Sequence, residues 1–547
     1  MTGSVRRGLV RAPVSPGSAF VSEEAASPET LGRAIGHRYR LDADPVRVLR
    51  HEWFDTFDWR LHRAGCTLER LVPQGHAQAR FLLHDAAGSV LQATPDTRLD
   101  SNRRGTVFRL ENLVPDGSLQ ARLAPIVQMR ALLKLASVTV EARQFRVLDG
   151  QAKTVARMIT ETLREPDRHL ELPNALLSIV PVRGYSSPAA DLARHIALET
   201  GVVCAPAGWF PFVLAKCSRT PGDYSGQPSW RLSPSMPVSD AVGAVLAGLL
   251  EGAVRNLPGV IADVDTEFLH DLRVAVRRAR TALKLLGDTL AEERVTQLQG
   301  ELSWLSDLTA PTRDLDCHLL TLARSESGPD EAAGVDYFRI FLIRRRQRAQ
   351  RALVRGLRSA RWSEAQRRWG DLAAVDGACQ DAAHVPAVGL LPIAEVAPIR
   401  IRRAFRRARN LGQAITPQSP ATELHSLRRR CKELRYLLEF FAPLAEAQAL
   451  GQVVTQLRAL QDALGEFQDT QVQIVAIRTF AIEMLEAGGT PASTFMTMGT
   501  AVTMLEARQA RARAQFAERF ARFDSRSTRK HMASLFLPSP PSDAGLR

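Results

Sequence analysis

Two segments of this chain repeat one pattern of basic residues at a constant separation of 155 positions. Each segment has a histidine followed by basic residues three, seven and ten positions later: His270, Arg273, Arg277 and Arg280 in the first, and His425, Arg428, Lys432 and Arg435 in the second. On a helix, these steps place the four side chains of each set on one narrow stripe. We call the two stripes the first and second basic rails. They predict two helices that each present a row of cations.

The opposite faces of both helices are apolar. The apolar positions are Leu272, Ala275, Val276, Ala279, Leu283 and Leu286 in the first, and Leu427, Cys431, Leu434, Leu438 and Phe441 in the second. The same separation continues downstream, where it pairs Leu302 with Leu457, Leu305 with Leu460, Asp307 with Asp462, and Asp314 with Asp469. This extended correspondence indicates the internal duplication of a multi-helix unit.

A basic helical face is ordinarily solvated surface, but such a face normally mixes charges, because like charges one turn apart repel. The first rail contains no acid. The second differs at its far end, where Glu439 stands at the position equivalent to Lys284 and Glu433 replaces Arg278. We therefore expect rows of uncompensated cations, which favour a polyanion as the partner.

Length and charge agree with this expectation. A chain of 547 residues predicts two or three domains. The formal net charge of +14 and the pI of about 10.2 favour an acidic partner. Arginine greatly outnumbers lysine, which suits a phosphate ligand because the guanidinium fork bonds two oxygens at once, although a GC-rich coding bias would have the same effect.

Several classes of protein are disfavoured. The six cysteines are scattered without CxxC spacing, which indicates neither a disulfide framework nor a zinc site and predicts a reducing cytoplasm. We find no Walker glycine loop, nucleophile elbow or HExxH motif, so no metal and no other cofactor is predicted. The longest apolar stretch, Ala241 to Leu250, is too short to span a bilayer, so we expect a soluble protein.

The first half has the pattern of an α+β domain with an antiparallel sheet. Strands are predicted at Val107–Glu111, Ser137–Val147 and Leu176–Val182, and helices at Val155–Arg164 and Ala189–Glu199. The Pro-, Ser- and Gly-rich sequence KCSRTPGDYSGQPSWRLSPSMPVS predicts a linker. The expected organisation is a tail at 1–30, a domain at 31–215, a linker at 216–236, a helical domain at 237–525 and a tail at 526–547.

The second half is helix-patterned almost throughout and predicts two pseudo-symmetric antiparallel bundles of about four helices each, at about 237–362 and 393–525. Breaks are expected at Asn256–Gly259, Pro311, Pro329, Val375–Pro398, Pro417–Pro420 and Gly488–Pro491. Three further arginine stripes share a helical phase: Arg344, Arg348, Arg351, Arg355 and Arg358; then Arg402, Arg406 and Arg409; then Arg508, Arg511, Arg519 and Arg522. Convergence of some of these faces would form a channel lined by guanidinium groups.

The duplicated segments resemble the CHAD domain, whose name denotes a histidine-bearing α-helical domain. The matching sequences are HDLRVAVRRARTALKLL and LSWLSDLTAPTRDLD in the first copy, and HSLRRRCKELRYLLEFF and LRALQDALGEFQD in the second. The resemblance implies two pseudo-symmetric four-helix bundles, a basic central groove and binding of inorganic polyphosphate. The groove residues that it implies are His270, Arg273, Arg277, Arg280, Lys284, His425, Arg428, Lys432 and Arg435. The first copy departs from the family pattern in having Thr309 and Ala310 where the second has Leu464 and Gly465.

The first half is similar, less closely, to the CYTH domain, through WFDTFDWRLHRAGCTLERL at 53–71 and VPVRGYSS at 180–187. Active members are triphosphatases or cyclases that open with Glu-x-Glu-x-Lys, an alternation that holds a divalent metal and phosphate on one strand face. The equivalent here, His37 to Leu41, lacks both acids. We therefore expect a degenerate barrel-like domain without catalysis.

Two lesser possibilities remain for this domain. Glu69, Glu111, Glu141 and Glu171 could form a partial acidic set, although ordinary acids on half-exposed strands explain them better. A phosphate chain could be held by Arg38, Arg40, Arg70, Arg80 and Arg109.

The rail histidines and the downstream aspartates each have two interpretations. His270 and His425 have Val274 and Arg429 one turn later, so metal ligation is disfavoured, and donation to phosphate is preferred over a purely structural bond. Asp314, Asp316 and Asp469 could act as bases, but we expect them to pair with arginines and orient the guanidinium planes.

These observations predict a non-catalytic protein that binds inorganic polyphosphate, located on cytoplasmic polyphosphate granules. One alternative is a metal-dependent triphosphatase in the first domain, with the helical domain holding the substrate. A second is a sequence-independent nucleic-acid binder, which is disfavoured because only Tyr436 supplies an aromatic ring near the rails. The oligomeric state and the preferred chain length are left open.

Overall fold

The chain divides into two compact units, Met1–Gln227 and Pro228–Arg547. The computed structural model describes residues 19–22, 35, 38–75, 79–95, 107–110, 117–164, 173–200, 203–204, 208–217, 219–226, 229–324, 332–374 and 385–536. The boundary between the units lies within the predicted linker at 216–236.

The first unit is built on one curled antiparallel sheet, a half-barrel. Within the described residues its strands are β1 (Ala19–Ser22), β2 (Arg40–Ala43), β3 (Arg47–Thr56), β4 (Cys66–Pro73), β5 (Arg80–Asp85), β6 (Val90–Pro95), β7 (Val107–Phe108), β8 (Leu132–Leu148), β9 (Thr154–Leu163), β10 (Ala175–Pro181) and β11 (Val203–Cys204). They follow the order β11-β1-β10-β9-β8-β3-β4-β5-β6, and β2 and β7 also pair with β8. The 17-residue strand β8 therefore organises the sheet.

Four helices accompany this sheet in the described part of the unit: α1 (Arg60–Arg63), α2 (Gly117–Val127), α3 (Ser186–Thr200) and α4 (Phe210–Leu214). Leu192 and Ile196 of α3 share a core with Phe145 of β8, and Leu119 and Leu123 of α2 belong to a separate core. Apolar side chains of the sheet are thus divided between distinct cores, which is the arrangement expected for a strand that alternates its side chains.

The α+β class and the antiparallel sheet are confirmed, but two local predictions for this half are wrong. The predicted helix at Val155–Arg164 is strand β9, which pairs with β8 on one side and β10 on the other. Its short apolar pattern fits either structure, and pairing on both edges decides the outcome. Part of the predicted tail at 1–30 is strand β1, which pairs with β10.

The other predictions for this half agree with the structure where it is described. Ser137–Val147 lies within β8, Leu176–Pro181 lies in β10, and Ala189–Glu199 lies within α3. The strand predicted from Val107 is confirmed only for Val107–Phe108, and Glu111 lies outside the described residues.

The second unit is all-helical. Its described helices are α5 (Val238–Ile261), α6 (Thr266–Leu286), α7 (Glu292–Arg324), α8 (Ala332–Leu357), α9 (Ala360–Ala373), α10 (Ile393–Ala414), α11 (Ala421–Phe440), α12 (Ala447–Ala487), α13 (Ala492–Phe523) and α14 (Arg526–Ser534). Helices α10, α11 and α12 begin 155 residues after α5, α6 and α7 respectively, because the starts are 238 and 393, 266 and 421, and 292 and 447. The internal duplication is therefore structural and keeps one register over three helices.

Two predicted breaks do not occur. Pro258 lies inside α5, and Pro311 lies inside α7. Each proline leaves one carbonyl without its helical hydrogen bond, that of Val254 or Asp307, and both of these residues are exposed, so water can solvate the carbonyl. The breaks at Pro417–Pro420 and Gly488–Pro491 are confirmed. The break predicted at Val375–Pro398 is wrong for its last residues, because α10 begins at Ile393 and contains Pro398. Pro329 and residues 375–384 lie outside the described part of the chain.

The predicted tail at 526–547 is also wrong at its start. Residues Arg526–Ser534 form α14, where Thr528 and Met532 are buried and the helix packs on α12. The N-cap Ser525 accepts a hydrogen bond from the backbone N–H of Thr528 at 3.1 Å. Capping and burial together explain why this short polar segment is folded.

One described helix, α5, is long and apolar enough to cross a membrane. It is also a core helix of the second unit, since Val242, Leu246 and Leu249 are buried and the helix packs on α6 and α9. The helix therefore buries its apolar side chains within the bundle.

Candidate anion-binding groove

Parts of the two basic rails meet where α6 packs on α11, since residues of both helices line one groove. Arg277 Nε donates to the hydroxyl of Tyr436 at 2.8 Å. Arg278 pairs with Glu439 at 2.7 Å. These bonds join the first copy of the duplicated helix to the second.

A groove of about 700 Å³ lies between α6, α7 and α11. It is lined by Arg277, Arg280, Thr281, Lys284, Thr296, Gln299, Gly300, Ser303, His425, Arg428, Arg429, Lys432, Glu433 and Tyr436. Six of these residues are arginine or lysine, and Glu433 is the one acid among them. We call this feature the basic groove. Its charge excess makes it a site for an anion.

The sequence places the rails by occupying the rest of each helix surface. Asp265 caps α6, accepting hydrogen bonds from the backbone N–H groups of Glu267 at 2.9 Å and Phe268 at 3.2 Å. The apolar faces are buried, including Leu272, Val276 and Leu283 of α6, and Leu427, Cys431 and Leu434 of α11. The rails are therefore directed away from the core and toward the groove.

The downstream segments orient the arginines. Arg428 Nη2 donates to Asp469 at 2.9 Å, as predicted for this aspartate. At the equivalent position, Arg273 Nη1 donates to the Ser306 carbonyl at 3.0 Å and to Thr309 Oγ1 at 2.7 Å. These bonds set the guanidinium planes before any ligand arrives, which reduces the cost of ordering them.

Asp314 and Asp316 behave differently from each other. Burial raises the pKa of Asp314, and the nearby Arg273 and Arg313 lower it in part. Asp316 does not reach a rail, because it pairs with Arg346 of α8 at 2.8 Å. Only the first of these two aspartates therefore acts electrostatically on a rail arginine.

Lys432 is the residue that best shows the unbalanced charge of the groove. Burial lowers its pKa, and the neighbouring Arg428 and Arg277 lower it further, to about 7, although Asp469 acts in the opposite direction. Like charges close together disfavour each other's charged forms. An anion in the basic groove would relieve this repulsion.

The expectation of an uncompensated first rail needs one correction. Lys284, at the end of that rail, pairs with Glu433 of α11 at 2.7 Å, and Glu433 also accepts from Arg430 at 2.8 Å. An acid on the opposite helix therefore neutralises this end. The charge excess lies instead around Lys432, where Arg277 and Arg428 are close neighbours and Asp469 offsets their charge only in part.

The structure does not bring every predicted residue to the groove. Arg344, Arg348, Arg351 and Arg355 are exposed on α8, and Arg402 and Arg406 are exposed on α10; none of them lines the groove. Arg409 bonds Asp524 instead, and His270, Arg273 and Arg435 do not line the groove either. Only parts of the two duplicated rails converge.

Sequence reasoning missed several lining residues. Arg429 is exposed and lines the groove. In the sequence it serves only as an argument against a metal at His425, one turn earlier. Gln299 and Ser303 come from α7, whose contribution to the groove has no signal in the basic pattern. A search for cations at steps of four from His425 would have identified Arg429.

A second cavity, of about 710 Å³, lies on the other side of Arg428 and Lys432. Its wall combines residues of α7, α8, α11, α12 and α13: His318, Thr321, Leu322, Phe338, Arg428, Lys432, Arg435, Gln461, Asp462, Gly465, Glu466, Asp469, Thr470, Gln473, Ile477, Ala501, Met504, Leu505 and Arg508. Because Arg428 and Lys432 line both spaces, the second cavity adjoins the basic groove.

Comparison with known proteins identifies the helical unit. A family model described as the CHAD domain matches residues 244–478. Residues 244–478 are a CHAD domain. The described curled sheet of the first unit is consistent with the CYTH-like resemblance of that half.

Two solved structures and one further protein sequence are similar to this chain. The CHAD domain from the plant Ricinus communis is 24% identical, with a TM-score of 0.42, covering 56% of this chain and 96% of that chain. PptA from Streptomyces chartreusis is 16% identical, with a TM-score of 0.40, covering 52% and 99% respectively. A protein of Mycobacterium tuberculosis described as uncharacterized is 26% identical over 512 residues, covering 88% of this chain and 90% of its own length.

Outside the CHAD domain, the first unit contains a buried network of ionisable side chains. His51 contacts two carboxylates: its Nδ1 bonds Glu69, and its Nε2 lies 3.4 Å from Glu161. His84 Nε2 lies 2.9 Å from the other oxygen of Glu69. Trp209 Nε1 donates to Glu161 at 2.7 Å. The network joins β3, β4, β5 and β9.

The pKa values of this network follow from its ion pairs. Burial lowers the pKa of His51, but the charges and hydrogen bonds of Glu161 and Glu69 outweigh it and raise the pKa to about 10. Burial raises the pKa of Glu69, but hydrogen bonds with His51 and His84 outweigh it and lower the pKa to about 2. Glu69 is therefore an ionised partner of histidine.

The structure places only two members of the partial acidic set, Glu69 and Glu141, within the described residues. Glu69 is engaged with histidines, Glu141 is exposed on β8, and Glu111 and Glu171 lie outside the described residues. Among the residues that the structure describes, no group of His, Cys, Asp or Glu is placed to hold a metal ion.

The arginines suggested for phosphate in this unit differ in their exposure. Arg70 donates to the buried Glu52 at 3.0 Å, while Arg38, Arg40, Arg80 and Arg109 are exposed. His37 lies outside the described residues. Because a buried carboxylate already engages Arg70, that arginine is the least available member of the set.

Replacing Glu69 tests whether the network is structural. Glu69→Gln should lower the free energy of unfolding of the first unit by about 3–5 kcal/mol, the range for removing one partner of a buried ion pair. Glu141→Gln, at an exposed position on β8, should change it by less than about 0.5 kcal/mol. Urea denaturation followed by tryptophan fluorescence measures both, and equal stability of the two variants would contradict a structural role for Glu69.

Proposed function

We propose that the CHAD domain binds inorganic polyphosphate in the basic groove. The observation that carries this proposal is the lining of the basic groove, where six arginines and lysines stand with one acid. Among them is Lys432, whose pKa is lowered to about 7 by burial and then by the neighbouring Arg428, Arg277 and Arg435. Such repulsion costs stability in the free protein, and proteins retain unfavourable features of this kind mainly at functional sites.

The chemistry of the lining favours a chain of phosphates. Guanidinium groups bond two phosphate oxygens at once, and successive cations on α6 and α11 can contact successive units of a linear anion. Many separate contacts of this kind together give a high affinity for polyphosphate. This affinity depends strongly on salt, as it does for other linear polyanions.

The same lining disfavours a nucleic acid. Modules that bind single strands stack bases on exposed aromatic rings. The aromatic residue of the groove, Tyr436, is 1% exposed, and its hydroxyl accepts from Arg277. Its ring is therefore unavailable for stacking, and a ligand without bases suits the groove better.

Calorimetry of the full chain with long-chain polyphosphate tests the proposal directly. We expect tight binding that weakens steeply with salt, and little displacement by duplex DNA at equal phosphate concentration. Equal displacement by DNA, or no binding, would contradict it. If polyphosphate is the ligand, the place where the protein acts is the cytoplasmic polyphosphate granule, which imaging of the labelled protein in cells would test.

A further inference from the structure

The second cavity differs chemically from the basic groove that it adjoins. Leu322, Phe338 and Leu505 form part of an apolar wall, and Gln461 and Asp462 stand among the polar residues. Its volume of about 710 Å³ lies within the range of small-molecule sites in proteins. A mixed wall of this kind suits a ligand with an apolar body and a few polar groups.

Two acids of this cavity are already paired with arginines, one of which is the shared Arg428. Asp469 accepts from Arg428 at 2.9 Å, and Glu466 accepts from Arg508 at 3.3 Å. Carboxylates at these positions would repel the middle of a phosphate chain. The cavity is therefore suited to the less charged part of a ligand whose anionic part lies at Arg428 and Lys432.

The amide of Gln461 indicates which kind of ligand the second cavity binds. Gln461 is only 7% exposed, and neither its amide nitrogen nor its amide oxygen has a hydrogen-bond partner among the described residues. An unsatisfied buried polar group destabilises the free protein, and a ligand that pairs with it would remove this cost. The equivalent Ser306 in the first repeat is satisfied, since its hydroxyl donates to the Leu302 carbonyl at 2.8 Å and accepts from Arg280 at 3.0 Å. The unsatisfied amide is thus particular to the repeat that contains the cavity.

An amide offers one donor and one acceptor side by side. A nucleobase edge presents the complementary pair, and glutamine bonds adenine in this bidentate way. A flat heterocycle would also bury apolar surface against the more exposed part of the apolar wall, which includes Met504. The phosphate groups attached to such a base would lie toward the cations shared with the groove.

We propose that the second cavity binds the base of a nucleoside phosphate, with Gln461 pairing to the base edge and Arg428 and Lys432 holding the phosphates. The proposal rests on the basic groove binding phosphate, because those two cations belong to both spaces. Nucleoside phosphate and inorganic polyphosphate would then compete for the same pair of cations.

Calorimetry of the full chain with ATP and with inorganic triphosphate, both without divalent metal, tests this inference. ATP should bind at least about fivefold more tightly, the lower bound of what one bidentate amide–base pair discriminates. Gln461→Leu should remove that preference and leave the affinity for triphosphate unchanged. Equal affinities of the two ligands, or an equal loss of both in Gln461→Leu, would overturn the inference.

A second variant provides the test if Gln461→Leu folds poorly. Met504 lines the cavity and is 57% exposed, so Met504→Trp should fill the space and abolish the ATP preference. Met496, on the same helix, is 74% exposed and does not line the cavity, so Met496→Trp should keep the preference. Absence of any binding by triphosphate and polyphosphate would refute the function of the groove, whereas polyphosphate binding without an ATP preference would refute the nucleoside site alone.

Discussion

A chain in which Arg280, Arg429 and Lys432 are all replaced by glutamate is expected to lose its affinity for long-chain polyphosphate by about a thousandfold or more. All three residues line the basic groove, and two of them are exposed, so the substitutions spare the core. Each removed charge-assisted hydrogen bond is worth roughly 1.5–3 kcal/mol, and the new carboxylates add repulsion. Calorimetry at fixed salt measures the loss.

The matched control uses the arginines of α8. Arg344, Arg348 and Arg351 are exposed and do not line the groove, and their replacement by glutamate changes the net charge by the same amount. We expect this variant to bind with nearly the original affinity. The dependence of affinity on salt should become shallower by about three counterions in the groove variant alone. Equal losses in both variants would show that net charge, and not the groove, binds the polyanion.

The second large effect is a dependence of polyphosphate affinity on pH, with Lys432 as the titrating group. Its pKa is about 7 in the free protein, because burial and then Arg428 and Arg277 lower it. A bound polyanion favours the ammonium form and raises this pKa, so the complex holds more protons than the free protein above pH 7. Affinity should therefore be full below pH 7 and fall above it, by at most about tenfold per pH unit.

Lys432→Arg separates this mechanism from other titrations. Arginine stays charged throughout this pH range, so the variant should keep its affinity up to pH 9. It should also bind fewer protons than the unsubstituted protein does when polyphosphate binds. Proton uptake is measured by calorimetry in two buffers of different ionisation enthalpy. His425 lines the same groove, so His425→Gln is the companion variant. An unchanged pH profile in Lys432→Arg would assign the titration to another group.

The duplicated helices were predictable because their signal is local. The steps of three, seven and ten from His270 and His425 concern one helix surface at a time, and the apolar residues opposite them define the buried face. The common separation of 155 then carried the prediction from single helices to a repeat, and the structure shows the same separation between helix starts. Neither result needed knowledge of which helix packs on which.

Other features depended on neighbours far away in sequence. Thr154–Leu163 is a strand because β8 and β10 pair with it on both sides, although its own pattern also suited a helix. Glu69 is ionised and engaged because His51 and His84 reach it from β3 and β5. The sequence pattern of one segment does not specify which distant strands or side chains will pair with it.

The sequence by itself determined the helical repeat, the two rails and the excess of cations over acids along them. Only the tertiary structure decided that parts of the duplicated rails meet at one groove while the arginines of α8 remain outside it. It also decided that Glu433 neutralises Lys284 and that Lys432 lies among arginines. The physical reason is that periodicity specifies a direction around one helix axis, whereas charge compensation depends on distances between helices that only packing sets.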